Sequence, residues 1–433
     1  MNSTPLNIVW FRRDLRIDDN CSLYNAMNCG YKVLCIFIFD TQILESLVSG
    51  PDRRVTFILK ALTNLKLKLQ LLGSDLIVFH GKPIEVWQKI LSEYSVNAVY
   101  YSVDYERYSI YRDREISSFL MSRGIQSYPF HDHVILRPDQ VLKNDETPYT
   151  VFTPYSKKWR EFLHSCPIKT FPSESIAQEA LLPVNPVPLP TIQQLGFIDL
   201  GTEIAQCNIR NEIIESYHLT RDNPAIDGTS RLSAALRFGT ISIRKLALYA
   251  QQHNSVFLNE LIWRDFYQMI LFYFPHCEFS AFKPAYEGIE WLNKESEFER
   301  WCNGETGYPM VDAAMHQLNA TGWMHNRCRM ITASFLCKHL LVDWRWGETY
   351  FASKLIDFET ASNNGGWQWS SGSGCDAAPY FRVFNPMLQQ RKYDEKGDYV
   401  NTWNGNGGIK PIVEHEFAVK RCTYTYKKAL QRD

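Results

Sequence analysis

Short apolar runs alternate with amphipathic stretches through the first third of the chain. Leu6–Phe11, Val33–Phe39, Leu76–Phe79 and Ala98–Tyr101, with a weaker run at Gln126–Phe130, are rich in β-branched and aromatic residues. Parallel strands buried on both faces read this way. Between them, Asp52–Leu72 and Pro83–Tyr94 repeat apolar residues at helical spacing. Strand–helix alternation predicts an α/β N-terminal domain, a doubly wound parallel sheet over residues 1–130. A dinucleotide site would place a Gly-rich turn after the first strand. The chain instead reads Trp10-Phe11-Arg12-Arg13-Asp14-Leu15-Arg16, charged and without glycine, which excludes the usual Rossmann mode.

Prolines 167, 172, 183, 186, 188 and 190 then cluster in a stretch of little periodicity, and residues 131–208 read as an interdomain connection. From residue 209 to 433 the pattern is helical, predicting a large all-α domain. Ser255–Phe274, Val311–Asn319, Trp323–Leu341 and Thr349–Ile356 show apolar spacings of three and four, and Gly365-Gly366 reads as a break.

Composition adds less. Apolar residues make up 45% and charged residues 21%, an ordinary soluble balance, while 12 Trp are many. The formal net charge of −1 gives no global basic excess, so a face that grips nucleic acid has to be local. Eleven Cys lack zinc spacing, and their odd number, with no signal peptide at Met1–Ile8, predicts reduced thiols in the cytoplasm. The most apolar helical stretch, Ile262–Phe274, is interrupted by Arg264, Asp265 and Gln268, so no membrane span is expected.

Four segments carry candidate chemistry. Gly228-Thr229-Ser230-Arg231-Leu232-Ser233 opens a predicted helix; Thr229 and Ser230 suit an N-cap, and free N–H groups there suit a phosphate equally. Glu260 and Trp263 share a face of an apolar helix, where the carboxylate needs either an arginine or a ligand. Trp323, Asn326 and Met330 fall on one helical face, beside Arg327, with Arg329 pointing elsewhere. That face fits a flat, partly polar ligand or a core with a capped amide. Asn363-Asn364-Gly365-Gly366-Trp367-Gln368-Trp369 offers paired glycines for close backbone approach, followed by Asp376–Pro386.

Taken together, these segments resemble the photolyase/cryptochrome family over essentially the whole chain, and in detail its class I cyclobutane pyrimidine dimer photolyases. The resemblance implies light-driven repair of cyclobutane pyrimidine dimers in UV-damaged DNA, by electron transfer from excited reduced FAD to a flipped-out dimer. It implies FAD in the helical domain, with Tyr217, Thr229, Ser230, Arg231, Leu232 and Ser233 at its phosphates. Arg329 and Asp357 would lie beside the isoalloxazine ring, Asn363 at flavin N5, and Phe257, Glu260, Arg264, Asn326 and Glu359 would complete the cofactor set. Phe257 stands where Trp is frequent, and Glu359 where Asp is. The lesion pocket would comprise Glu260, Trp263, Asn326, Arg327, Met330 and Trp369, with Arg221, Arg327 and Arg382 at DNA phosphates. Glu260, Asn326, Met330 and Asn363 are the implied catalytic residues, and Trp367, Trp344 and Trp291 the electron-transfer chain.

A second, antenna chromophore is common in relatives; here Tyr108 and Ser109 stand where folate binders often have Asn-Glu, leaving its identity open. Nothing in the sequence demands a partner subunit, so a monomer is expected. The alternative within the family is a cryptochrome-type blue-light receptor without repair. Cryptochromes commonly replace the Asn363 equivalent, which this chain keeps. A (6-4) photolyase would place a His pair where Asn326 and Met330 stand.

Overall fold

The computed structural model describes residues 4–47, 50–199, 209–404 and 408–430. Its residues form two compact units built from interleaved segments. The first comprises Met1–Gln140, Glu161–Asn208 and Arg231–Gln252; the second comprises Val141–Arg160, Ile209–Ser230 and His253–Asp433.

In the first unit the five expected strands form one sheet: β1 (Leu6–Phe11), β2 (Val33–Asp40), β3 (Leu76–Gly81), β4 (Val96–Ser102) and β5 (Gln126–Phe130). All pairings are parallel, in the order β3-β2-β1-β4-β5. β1 and β2 are buried along their whole length, which explains why they read as continuous apolar runs and not as alternation. Helices Arg53–Leu71 and Pro83–Glu93 fall where the periodicity placed them.

The charged run after β1 is consumed by ion pairs. Arg12 pairs with Asp113, Arg13 with Asp104 at 2.7 Å, and Arg16 with Asp132 at 2.5 Å. Arg244 reaches the same buried Asp132 at 2.8 Å and Asp19 at 3.0 Å, tying the 231–252 segment to the sheet. Burial alone would raise the Asp132 carboxyl, yet Arg16 and Arg244 hold it down to about 2.

The second unit is helical, and three details depart from the sequence reading. The Trp323–Leu341 pattern is not one helix: it begins at Asn326, capped by the His325 ring, runs to Ser334, and continues as a π-helical turn over Phe335–His339. Trp323 therefore lies outside the helix and does not share its Asn326/Met330 face. Gly365-Gly366 does not break the chain but sits inside helix Thr360–Ser371. A Cβ on Gly365 would stand 2.3 Å from the Tyr267 ring, so this glycine lets two helices approach each other, where the sequence suggested a ligand. Finally, residues 131–208 contain a helix, Phe152–Ser165. Its Phe152, Tyr155, Trp159 and Leu163, at helical spacing, are all buried.

The described cysteines are free thiols. Among the described residues no helix is long and apolar enough to cross a membrane.

Candidate functional site

Helix Ser255–Tyr273 is the frame of the site. Asn254 caps its start, accepting from Val256 and Phe257 N–H, and its apolar residues are buried over most of its length. Glu260 emerges from it half-buried and meets Arg221, the residue ending helix Asn211–Thr220, at 2.7 Å. Of the two partners the sequence allowed, the arginine is the one observed. Burial pushes the Glu260 carboxyl above its usual range, and Arg221 pulls it partly back.

From this pair a chain of contacts crosses three helices. Asp222, next to Arg221, binds Arg327 at 2.6 Å, and Arg327 lies 3.7 Å from the Met330 sulfur. The Asn326 amide stands 4.0 Å from that sulfur, and the Arg327 guanidinium covers Tyr393 at 4.2 Å. His325 accepts from the Arg327 N–H and so fixes the start of the helix that presents all three residues. Burial first, then Arg327, lowers the His325 pKa to about 4, so the capping nitrogen is unprotonated at neutral pH.

Trp263, one turn beyond Glu260, is held by a partner that sequence reasoning missed. Phe152 stacks on it at 3.6 Å and 5°, with Phe266 and Tyr267 at 5.6 and 5.5 Å. Around it, Trp159 donates to Asp265 at 3.1 Å and Arg160 to Asn259 at 3.4 Å. The 152/155/159 aromatic spacing was the available signal. Trp369 and Arg382 form a second group around Phe384, whose ring centre lies 6.5 Å from Trp369 and 5.8 Å from the Arg382 guanidinium.

A third group lies along Asp357–Asn363. Arg329 donates to Asp357 Oδ2 at 2.8 Å, whereas Asp357 Oδ1 is buried without a protein partner. Arg264 binds Glu359 at 2.7 Å, and Ser362 binds the other Glu359 oxygen at 2.8 Å. Asn363 donates from its amide nitrogen to Glu348 Oε1 at 2.8 Å, which sets the direction of its own oxygen. Glu348 had no sequence signal: a carboxylate on an amphipathic helix is ordinary until its partner is seen. Burial raises its pKa.

Phe257 is buried with its ring edge-on to Tyr217 at 5.1 Å. The 229–233 segment differs from expectation. The helix starts at Ser233, with Leu232 at its cap and no side-chain capping bond, so Thr229 and Ser230 are not its N-cap. Thr229 and Ser230 belong to the second unit, whereas Arg231, Leu232 and Ser233 belong to the first. Exposed Arg231 adopts φ 52°, a left-handed conformation costly for a side chain of this size.

Trp344 and Trp367 are buried in one core cluster, with Trp291 packed against it. Trp367 sits on the glycine of helix Trp344–Lys354: a Cβ on Gly347 would come within 2.1 Å of its ring. Gly347→Ala is expected to destabilise the protein by about 1–3 kcal/mol through overpacking. A urea midpoint equal to wild type would show that Trp367 can shift without cost.

Sequence models of known families match in two places: "DNA photolyase" over residues 7–174, and "FAD binding domain of DNA photolyase" over residues 257–406. A "Deoxyribodipyrimidine photo-lyase" from Salmonella typhimurium is 40% identical, covering 92% of this chain and 89% of its own. The chain belongs to the DNA photolyase family. Its fold agrees with two solved photolyases. A bacterial class III photolyase from Agrobacterium tumefaciens is 28% identical at TM-score 0.85, covering 99% of this chain and 98% of its own. An archaeal photolyase from Sulfolobus tokodaii, with two FAD molecules, is 31% identical at TM-score 0.81, covering 98% and 99%.

The FAD that this photolyase fold implies is compatible with the third group. Asp357 Oδ1 is a buried acceptor without a protein donor, and the Arg329 guanidinium holds the other oxygen of the same carboxylate. A polar heteroaromatic ring edge supplies such a donor.

Proposed function

We propose that this enzyme repairs cyclobutane pyrimidine dimers in DNA under blue light. The observation that carries the reading is the unbroken contact chain Glu260–Arg221–Asp222–Arg327–Met330–Asn326, beside an aromatic wall at Trp263. It offers a hydrogen-bonding, thioether-lined and aromatic surface with arginines at its rim, features that suit two extruded adjacent pyrimidines and their phosphates.

Trp263 and Trp369 stack on the lesion bases. Arg221, Arg327 and Arg382 position the strand by its phosphates, without reading sequence. Glu260 hydrogen-bonds the dimer as a protonated donor, and Asn326 and Met330 complete the wall. When bound, reduced FAD supplies the electron that light drives onto the dimer and that returns after the ring opens. Asp357 and Arg329 hold the polar edge of that cofactor. Tyr217, Thr229, Ser230, Arg231, Leu232 and Ser233 serve its phosphate side, with Phe257, Arg264 and Glu359 in support. Asn363, turned by Glu348, presents a neutral amide that adds no negative charge. Trp291, Trp344 and Trp367 pass electrons inward from the surface to restore the reduced state. A second, light-harvesting chromophore in the α/β unit fits the same scheme. The lesion-side residues all come from one unit of the chain, and we read the enzyme as one that works as a monomer in the cytoplasm.

Arg221 has two claimants in this scheme, Glu260 and a DNA phosphate. Once a phosphate takes the Arg221 guanidinium, burial acts on Glu260 against Arg327 alone and shifts its carboxyl further toward the protonated form. Repair per absorbed photon is therefore expected to fall as pH rises through the raised carboxyl pKa. Glu260→Ala should lower that yield at every pH while the protein keeps its flavin. An unchanged yield removes Glu260 from the reaction.

A further inference from the structure

Lys338 is the fourth residue of the π-helical turn Phe335–His339 and is only 1% exposed. Burying an ammonium costs several kcal/mol unless its protons are well used, and an apolar side chain of similar volume would often serve stability as well or better. Among the described residues Lys338 makes no ion pair with a carboxylate. Its Nζ instead donates to the backbone carbonyl of Arg382 at 2.9 Å. Burial lowers its pKa, and the amine donates that bond in either protonation state.

The carbonyl it holds belongs to an irregular segment whose Tyr380 and Val383 pack against the core on either side of Arg382. Between helices Thr360–Ser371 and Pro386–Tyr393 the chain has no regular element. Arg382 N–H closes a turn onto Pro379 and Val383 N–H onto Phe381. Arg382 is itself exposed, and Phe381 is 63% exposed. The segment thus points a cation and an aromatic outward and has one buried lysine beneath the cation's own carbonyl. A π-turn adds a residue to a helical run and swings the following side chains round it, and such turns are concentrated at functional sites.

We propose that Lys338 is a positioning residue for DNA binding: it fixes the Arg382 backbone so that the Arg382 guanidinium meets a phosphate of the damaged strand. The inference rests on the phosphate role of Arg382 given above. Lys338 touches neither the DNA nor the cofactor. It removes the freedom the loop would otherwise lose on binding.

The test is a double-mutant cycle on the flavin-loaded full chain, read in the dark as affinity for a dimer-containing oligothymidylate over a range of salt. Arg382→Ala is expected to weaken binding several-fold and to lower the slope of log affinity against log salt by about 0.7, one single-strand phosphate contact. Lys338→Met should do nearly the same. The double variant should be no weaker than Arg382→Ala alone, because the two changes remove one interaction. Paired with Arg221→Ala, which sits on another helix, Lys338→Met should instead add fully. Flavin content and melting temperature check the fold. If Lys338→Met does not retain flavin, Lys338→Gln, which shortens the donor's reach, replaces it under the same two outcomes. Full additivity with Arg382→Ala, or an unchanged salt slope in the lysine variant, overturns the proposal. An Arg382→Ala variant with wild-type affinity and slope would instead overturn the phosphate reading itself, and the proposal with it.

Discussion

Trp263→Ala should weaken dark binding to a dimer-containing strand by about 5- to 150-fold, the equivalent of 1–3 kcal/mol for one lost base-stacking platform. The Trp263 ring is already immobilised by Phe152 at 3.6 Å and 5°, so stacking costs it little further freedom. Affinity for undamaged DNA should change much less, since an undamaged base pair is not extruded against this wall. Phe152→Ala is expected to give a smaller loss of the same kind, by loosening the platform instead of removing it. Equal losses for damaged and undamaged strands would assign Trp263 to general DNA contact and not to the lesion.

Trp367→Phe should abolish the light-driven recovery of oxidised enzyme while leaving repair intact once the protein has been chemically reduced. Phenylalanine keeps an aromatic ring against Gly347, Trp301 and Phe351, so packing is largely preserved, but it is far harder to oxidise than indole. Transient absorption would follow the indole radical, and steady illumination the loss of oxidised flavin colour. If repair by pre-reduced protein fell together with photoreduction, Trp367 would be a packing residue and the electron-entry role would be lost.

What the sequence revealed and what it hid divide along physical lines. β1 and β2 were legible because β-branched and aromatic runs buried on both faces need no knowledge of their neighbours, and the other strands by the same composition, most weakly β5, which is the most exposed. Gly365-Gly366 was misread because a glycine pair signals freedom locally, whereas here Gly365 answers a distant ring, Tyr267. The apolar spacing from Trp323 to Leu341 concealed both a histidine-capped start and a π-turn, since one inserted residue barely disturbs a count of threes and fours. Phe152 was hidden in a stretch judged by its prolines, although its own aromatic spacing was helical. Glu348 and Lys338 were beyond local reading altogether. The side chain of each is joined by a hydrogen bond to a residue 15 or 44 positions away. The division of the chain segments between two units likewise leaves no mark in composition.

Glu260 shows where chemistry and fold meet. The same carboxylate that a helix in water would leave charged is here half-buried, paired to one arginine, and pushed toward its protonated form. In the proposed reaction the carboxyl acts as a hydrogen-bond donor once a phosphate draws Arg221 away.

The central claim is best tested by following the ultraviolet absorbance of dimer-containing oligothymidylate with purified, reduced, flavin-loaded protein under blue light, beside an identical sample kept dark. Thymine absorbance lost on dimerisation should return in the lit sample only, with many dimers reversed per protein molecule. No recovery in the light, or equal recovery in the dark, would contradict the account.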